Sequence, residues 1–447
     1  VKIALIGNMN NNFFSLLRYF HDLGADAELL MYANDGTASL SHFTPSADTW
    51  DFPRWEPLVK RIQIWNSPAS ALRPPLSWLV AVRSLQLMTL GRTSEWQPPL
   101  GKSDVRRVFS PYDRLIGCGI APALLARIQR RLDVFFPYAI GVEFTGSTAD
   151  CAVADRRTDT AFHQFMKHQV RTRQLKGVSA ARHIVCDEGT RTSAVLQAIG
   201  VSQKKLPMPM VYNREEMPRE PPTLALRRAR ELISTSDLSF LHSARLKWVR
   251  PQGIADEDWR HLSKNGDRVI RAFADLVRML PDTRLRMLVL EYGPDVHETR
   301  ALVTSLGIDK QVSWLPKMYR KEVLWLLDKV DVALGQFYDL PGFITCGTVW
   351  EALACGKLLI QGSRCTSEEY EKSYGYPMPP VLIANSEVEI RNRMMEAVKM
   401  GHEGCALMGA RAKSWYERYS GIGAAREWLA LVTGPPGSAQ PATPTPC

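Results

Sequence analysis

Three side chains far apart in the sequence carry most of the chemistry that residue types can announce: Arg245, Lys264 and Glu351. An arginine fork and a lysine point charge suit two adjacent phosphoryl groups, and they stabilise negative charge that develops on a leaving group. Glu351 lies in the run GTVWEALACGKLLIQ, one turn into a helix expected over Thr348–Ala354. The glycines and free N–H groups ahead of that helix, Gly347 and Thr348 included, together with its dipole, can hold a phosphate. Glu351 itself can accept hydrogen bonds from sugar hydroxyls. Taken singly, each of the three reads more readily as an ordinary surface charge or a dipole complement.

A second set lies in the first half. Asn10, Asn11 and Asn12 stand in the loop after the opening strand, where they could bind hydroxyls or merely serve a turn. Glu143, at the end of LDVFFPYAIGVEF, is a candidate base. Tyr138 is a weaker candidate, as is His42 in a loop rich in Ser, Thr and Asp. Asp256-Glu257-Asp258 has a metal-binding spacing but sits in a strongly charged stretch and reads as a solvated loop.

These groups need elements to position them. Apolar runs at Val1–Gly7, Ala27–Tyr32, Arg114–Cys118 and Leu132–Pro137 predict buried parallel strands. They alternate with helices over Phe13–Leu23, Ala121–Arg131, Phe162–Gly177 and Glu188–Gly200. Pro74–Leu90 predicts a further helix, and the mixture of Trp65, Arg73, Trp78 and Arg83 with apolar residues could lie on an anionic bilayer. A second series begins with strands at Leu238–Ser243, Leu285–Leu290, Val312–Leu315, Val330–Leu334 and Leu358–Gln361. Helices are expected over Asp267–Leu280, His297–Leu306, Lys321–Lys329, Glu387–Met400 and Leu407–Tyr419. The polar, proline-marked stretch 213–236 reads as the crossing. The fold class is therefore α/β, with two Rossmann-like doubly wound domains facing a central cleft: 1–215, then 236–420, followed by a helix at 421–433 and a disordered tail at 434–447.

Composition narrows the classes. The chain has 447 residues, is 45% hydrophobic and 23% charged, and carries a formal net charge of +10. That charge favours anionic partners. No run of five basic residues occurs, and no aromatic-basic interleaving suggests a single-strand binder, so nucleic acid is not the expected partner. The eight cysteines form no Cys-x-x-Cys pair, which argues against a disulfide scaffold or a structural zinc site. With no signal peptide and no long apolar segment evident, a cytoplasmic location is expected, with peripheral contact to a membrane as an option.

WEALACGKLLI resembles the helix-and-strand signature of the GT-B glycosyltransferases, especially the large family-four group. The resemblance covers roughly residues 238–420. It implies that Glu351 binds the donor ribose and that Arg245 and Lys264, just before Gly266, touch the donor diphosphate. It also places Pro316, Lys317 and Met318 beside the base. The connection KWVRPQGIADEDWRHLS between the two cations is long for the family. The family's second acid, eight residues before the helix glutamate, is here Phe343, with Asp339 as a nearby carboxylate that could stand in. By this resemblance the chain is a metal-independent glycosyltransferase with no cofactor beyond its nucleotide-sugar co-substrate, acting on a saccharide or lipid-linked acceptor in surface polysaccharide or glycoconjugate synthesis. The competing readings are a nucleotide-sugar epimerase of the same fold and a non-enzymatic basic binding protein.

Overall fold

The computed structural model describes residues 1–35, 44–66, 70, 101–137, 142–145, 161–186, 191–339, 342 and 346–434. The expected helix at Pro74–Leu90, His42, Tyr138, Phe343 and the tail beyond 434 lie outside these residues.

The chain divides into two compact units. The first comprises Val1–Thr44, Asp51–Pro209 and the chain from Ala424 on; the second comprises Pro45–Trp50 and Met210–Gly423. The C-terminal helix Ile422–Thr433 therefore belongs largely with the first unit. Trp428 explains why: its indole is fully buried, its Nε1 donates to the Pro207 carbonyl at 2.9 Å, and its ring meets Phe136 edge-on.

The first unit holds a six-stranded sheet of β1 (Lys2–Ile6), β2 (Asp26–Met31), β3 (Val59–Arg61), β4 (Arg114–Gly117), β5 (Val134–Phe135) and β6 (His183–Ile184), in the order 3-2-1-4-5-6. All pairings are parallel. The second unit holds β7 (Leu238–His242), β8 (Leu285–Leu290), β9 (Val312–Leu315), β10 (Val332–Leu334), β11 (Leu358–Gln361) and β12 (Leu382–Ile383), in the order 12-11-10-7-8-9, again all parallel. Crossovers put helices on both faces, so the central strands are mostly apolar rather than alternating, whereas the edge strand β3 (Val59–Arg61) is polar and largely exposed. In β7, Phe240 packs into the core on one face and Leu241 into the core on the other.

In each sheet the order reverses once: between β1 and β4, and between β7 and β10. Outside the carboxyl ends of such strand pairs the connecting loops part in opposite directions and leave room for ligands.

Several elements differ from the sequence reading. The crossing 213–236 contains a helix, Leu224–Ser234, whose Thr223 side chain accepts from the Leu226 N–H and whose Leu226 and Ala229 are buried. Asp256-Glu257-Asp258 is not a loop but the first turn of the helix Asp256–Leu262, where acidic side chains complement the dipole and Asp256 pairs with Arg250. The two helices expected over 387–419 are one, Glu387–Tyr419, kinked at Gly401 with φ 63°.

Candidate functional site

In the second unit the switch point lies beyond His242 and Leu334. Arg245 follows β7 and is exposed. The chain then makes its long excursion through the helix Asp256–Leu262. The excursion is tied at both ends. On the way out, the Trp248 and Val249 N–H groups donate to the Asp295 carboxylate at 2.5 and 2.7 Å, and Trp248 Nε1 donates to Thr299 Oγ1 at 2.9 Å. On return, the Lys264 N–H donates to the Lys247 carbonyl at 2.7 Å. The extra residues therefore loop out and back, and Lys264 resumes beside Arg245 as if they were absent. Gly293 makes this possible: its φ is 135°, and a Cβ there would lie 2.1 Å from the Leu246 carbonyl oxygen.

Lys264 is half-buried. Burial first, then the charges of Arg245 and Lys247 against a counteracting Cys346, draws its pKa down to about 8. Its Nζ stands 4.2 Å from the centre of the Tyr338 ring, on the loop after β10. Asn265, in a left-handed conformation with φ 49°, ties the turn to that loop by donating from Nδ2 to the Phe337 carbonyl at 2.6 Å. Gly266 then opens the helix Gly266–Met279, and a Cβ at this position would approach Nε2 of the buried His242 at 3.3 Å.

The helix Gly347–Ala354 starts in the same neighbourhood. Cys346 precedes it in extended conformation, no side chain caps its first turn, and Cys346 Sγ lies 3.1 Å from Thr348 Oγ1. The Cys346 thiol, whose pKa burial pushes up, is within electrostatic reach of both Lys264 and Glu351. Beyond the carboxyl ends of β7 and β10, Lys264 is thus within electrostatic reach of Arg245 and Cys346, and Cys346, which precedes Gly347 and Thr348, is within reach of Glu351.

Glu351 has a partner that the sequence did not disclose. Its Oε1 accepts from Arg320 Nε at 3.1 Å, and Arg320 Nη1 donates to Asp48 Oδ1 at 3.1 Å. Burial raises the Glu351 pKa, and the Arg320 charge works against that rise. Burial also opposes the charge on Arg320, but Asp48 and Glu351 together outweigh it and raise its pKa. The guanidinium fixes the glutamate rotamer, while Oε2 has no partner among the described residues.

Asp339 has a different place from the one expected. It forms a two-pronged pair with Arg268, Nη2 to Oδ2 at 2.6 Å and Nη1 to Oδ1 at 3.0 Å, and Arg364 joins at 3.3 Å. The Arg268 hydrogen bonds hold its carboxyl below the usual range. A carboxylate so held is a weak proton acceptor; it fastens the loop after β10 to the helix Gly266–Met279. Pro316 and Lys317, just beyond β9, are exposed, with Lys317 Nζ 5.2 Å from the Tyr292 ring centre, whereas the Met318 side chain packs into the core.

In the first unit the asparagine loop follows β1. Asn10 and Asn11 both have positive φ, at 52° and 56°. Asn8 Nδ2 donates to Asn11 Oδ1 at 2.7 Å, Asn8 Oδ1 accepts from the Phe14 N–H, and Asn11 Nδ2 donates to the Thr44 carbonyl. Asn8 and Asn11 therefore shape the loop. Asn12 opens the helix Asn12–Asp22, and its buried Oδ1 has no partner among the described residues.

Glu143 is buried and lies within electrostatic reach of Tyr32, as does Asp35. Asp35 was not singled out from the sequence. It follows the apolar run Ala27–Tyr32 by three residues in the sequence Asn34-Asp35-Gly36, a turn-type composition that was the available signal. Its carboxylate accepts from the N–H groups of Tyr32 and Asn8, and burial lifts its pKa to about 6.

No protein-family model and no curated protein sequence matches this chain. Solved structures do match over nearly its whole length. HepE of Anabaena, in complex with UDP, superposes with a TM-score of 0.52 at 12% identity, covering 96% of this chain and 98% of that one. A glycosyltransferase from Rickettsia africae gives 0.53 at 10% identity, covering 96% and 97%. A putative UDP-N-acetylglucosamine 2-epimerase from Listeria monocytogenes gives 0.50 at 11%, covering 96% and 95%. The fold is that of the GT-B glycosyltransferases.

Proposed function

We propose that this GT-B chain is a glycosyltransferase whose second unit binds a nucleotide-sugar donor at the carboxyl ends of β7 and β10. The observation that carries this reading is the return of Lys264 to the side of Arg245 after the excursion, next to the uncapped start of the helix that bears Glu351. Two cations and a helix N-terminus suit a diphosphate leaving group, whose charge grows as the glycosidic bond breaks. Glu351, oriented by Arg320, keeps Oε2 for a ribose hydroxyl, and the backbone near Pro316 and Lys317 would flank the base. The UDP held by HepE supports a nucleotide ligand for this fold.

On the first unit, Asn12 and Glu143 are the groups we assign to a saccharide or lipid-linked acceptor, with Asp35 holding the asparagine loop in shape. A surface polysaccharide or glycoconjugate pathway fits such an acceptor, as does contact of this basic chain with an anionic membrane. No helix among the described residues is long and apolar enough to cross a membrane.

The fold is shared with the putative epimerase from Listeria, so the chemistry must be tested directly. Incubation with UDP- and GDP-sugars plus candidate acceptors should release nucleoside diphosphate with acceptor present. Sugar isomerisation without acceptor would establish the epimerase reading instead. Stabilisation by DNA alone, with no response to nucleotides, would overturn both.

A further inference from the structure

The second unit includes a short strap from the first half of the chain: Pro45–Trp50 groups with Met210–Gly423, although Thr44 and Asp51 on either side belong to the first unit. The strap is fastened near both ends. The Ser46 carbonyl accepts from Lys321 Nζ at 3.0 Å, and the same ammonium lies 4.9 Å from the Trp50 ring centre. Glu215 accepts from Thr49 Oγ1 at 2.8 Å and from the Trp50 N–H at 2.6 Å. Between these ties Asp48 is buried and accepts from Arg320 Nη1. One guanidinium therefore stands between two carboxylates, Asp48 and Glu351. An arginine facing a single carboxylate tends to close on both of its oxygens, as Arg268 does on Asp339. Arg320 does not do so here. It gives Nε to Glu351 Oε1 and Nη1 to Asp48 Oδ1. All three side chains are largely buried, so little water screens them, and the division of the fork follows from the two charges that it faces.

We infer that Asp48 is a positioning residue of the nucleotide site: by holding one arm of Arg320 it keeps the guanidinium from closing on Glu351, and so sets how strongly the site reads ribose hydroxyls. This rests on the donor-site reading above and adds to it a residue supplied by the first half of the chain. With Asp48 charged, Glu351 Oε2 stays clear and a ribose hydroxyl can donate to it. Without that charge the fork turns to Glu351 alone and covers Oε2. The hydroxyl then loses its acceptor, while the contacts to the diphosphate are untouched.

The test is a calorimetric titration of the full chain with UDP, GDP and ADP and with the 2′,3′-dideoxy form of each. It is run on the wild type, Asp48→Asn, Glu351→Gln and the double variant. Asparagine keeps the shape of Asp48 and an acceptor for Nη1, so the substitution removes only the charge. A ribonucleotide that binds the wild type should bind Asp48→Asn about tenfold more weakly, the loss of one charged hydrogen bond. Its dideoxy form should bind both alike. In the Glu351→Gln background Asp48→Asn should cost nothing further, because the two act through one contact. A merely structural role would weaken both nucleotide forms equally and add to the effect of Glu351→Gln. Lys321→Ala loosens the strap from outside the buried trio. It should give the same ribose-specific loss in smaller measure, and it keeps the test open if Asp48→Asn fails to fold. Unchanged ribonucleotide affinity in either folded variant, an equal loss for the dideoxy form, or additivity with Glu351→Gln would each overturn the inference and leave the donor site standing. A wild type that binds none of the nucleotides would overturn the donor site and this inference together.

Discussion

At the residue scale the distinctive group is Lys264. An ammonium with a pKa near 8 is only partly charged in mildly alkaline solution. Its charge is complete below that value and is lost as pH rises through it. Nucleoside diphosphate affinity should therefore fall between about pH 7 and pH 9, by up to roughly tenfold per unit above 8. Lys264→Arg, charged throughout, should flatten the profile; an identical fall in that variant would place the titrating group elsewhere. Asp35 makes a separate prediction about stability. Its folded carboxyl titrates at about 6 and the unfolded one at about 4, so the folded state holds more protons in between. Stability should fall as pH rises across that window, by an amount on the order of 2–3 kcal/mol. Asp35→Asn should abolish that fall in denaturant titrations and be the more stable protein at pH 7.

The reach of the sequence at this scale is uneven. Glu351 and Lys264 stood out because their neighbours form recognisable runs. The Arg320–Asp48 support of Glu351 did not, since Arg320 and Asp48 are 272 positions apart and neither sits in a distinctive pattern. Glu351→Gln removes the charge that orients Arg320 but keeps an acceptor. It should weaken nucleotide binding by about 0.5–1.5 kcal/mol, as for an ordinary hydrogen bond, while Arg320→Ala should weaken it more by freeing the carboxylate.

At the scale of elements, the parallel strands were legible because strands packed on both faces are mostly apolar, with single polar residues such as Arg286, Ser313 and Gln361 as exceptions. Leu285–Leu290, Val312–Leu315 and Leu358–Gln361 match residue for residue. Leu224–Ser234 was hidden by the prolines before it and by its dense charges, with only Leu226 and Ala229 buried. Asp256–Leu262 buries nothing, so no period could reveal it. What matters for the site is how its excursion is closed, and Gly293 is the weakest point. Gly293→Val combines a left-handed φ with a clash against the Leu246 carbonyl. It should destabilise the chain by about 2 kcal/mol or more and loosen nucleotide binding, both measurable by denaturant titration and calorimetry.

At the scale of the whole molecule, the C-terminal helix completes the first unit instead of extending the second. Sequence order alone could not show this, because a helix at 421–433 adjoins the second series in the chain and its destination depends on which surface accepts its apolar face. Trp428→Ala should remove a fully buried indole, its bond to Pro207 and its contact with Phe136, and destabilise the protein by about 3–5 kcal/mol. The central claim nevertheless rests on two cations in the other unit. Isothermal titration of UDP, GDP and ADP into the wild type, Arg245→Ala and Lys264→Ala tests it most directly. At least one nucleotide should bind, and each variant should weaken it by about 1–3 kcal/mol. Folded variants that bind every nucleoside diphosphate as tightly as the wild type would contradict the donor-site assignment.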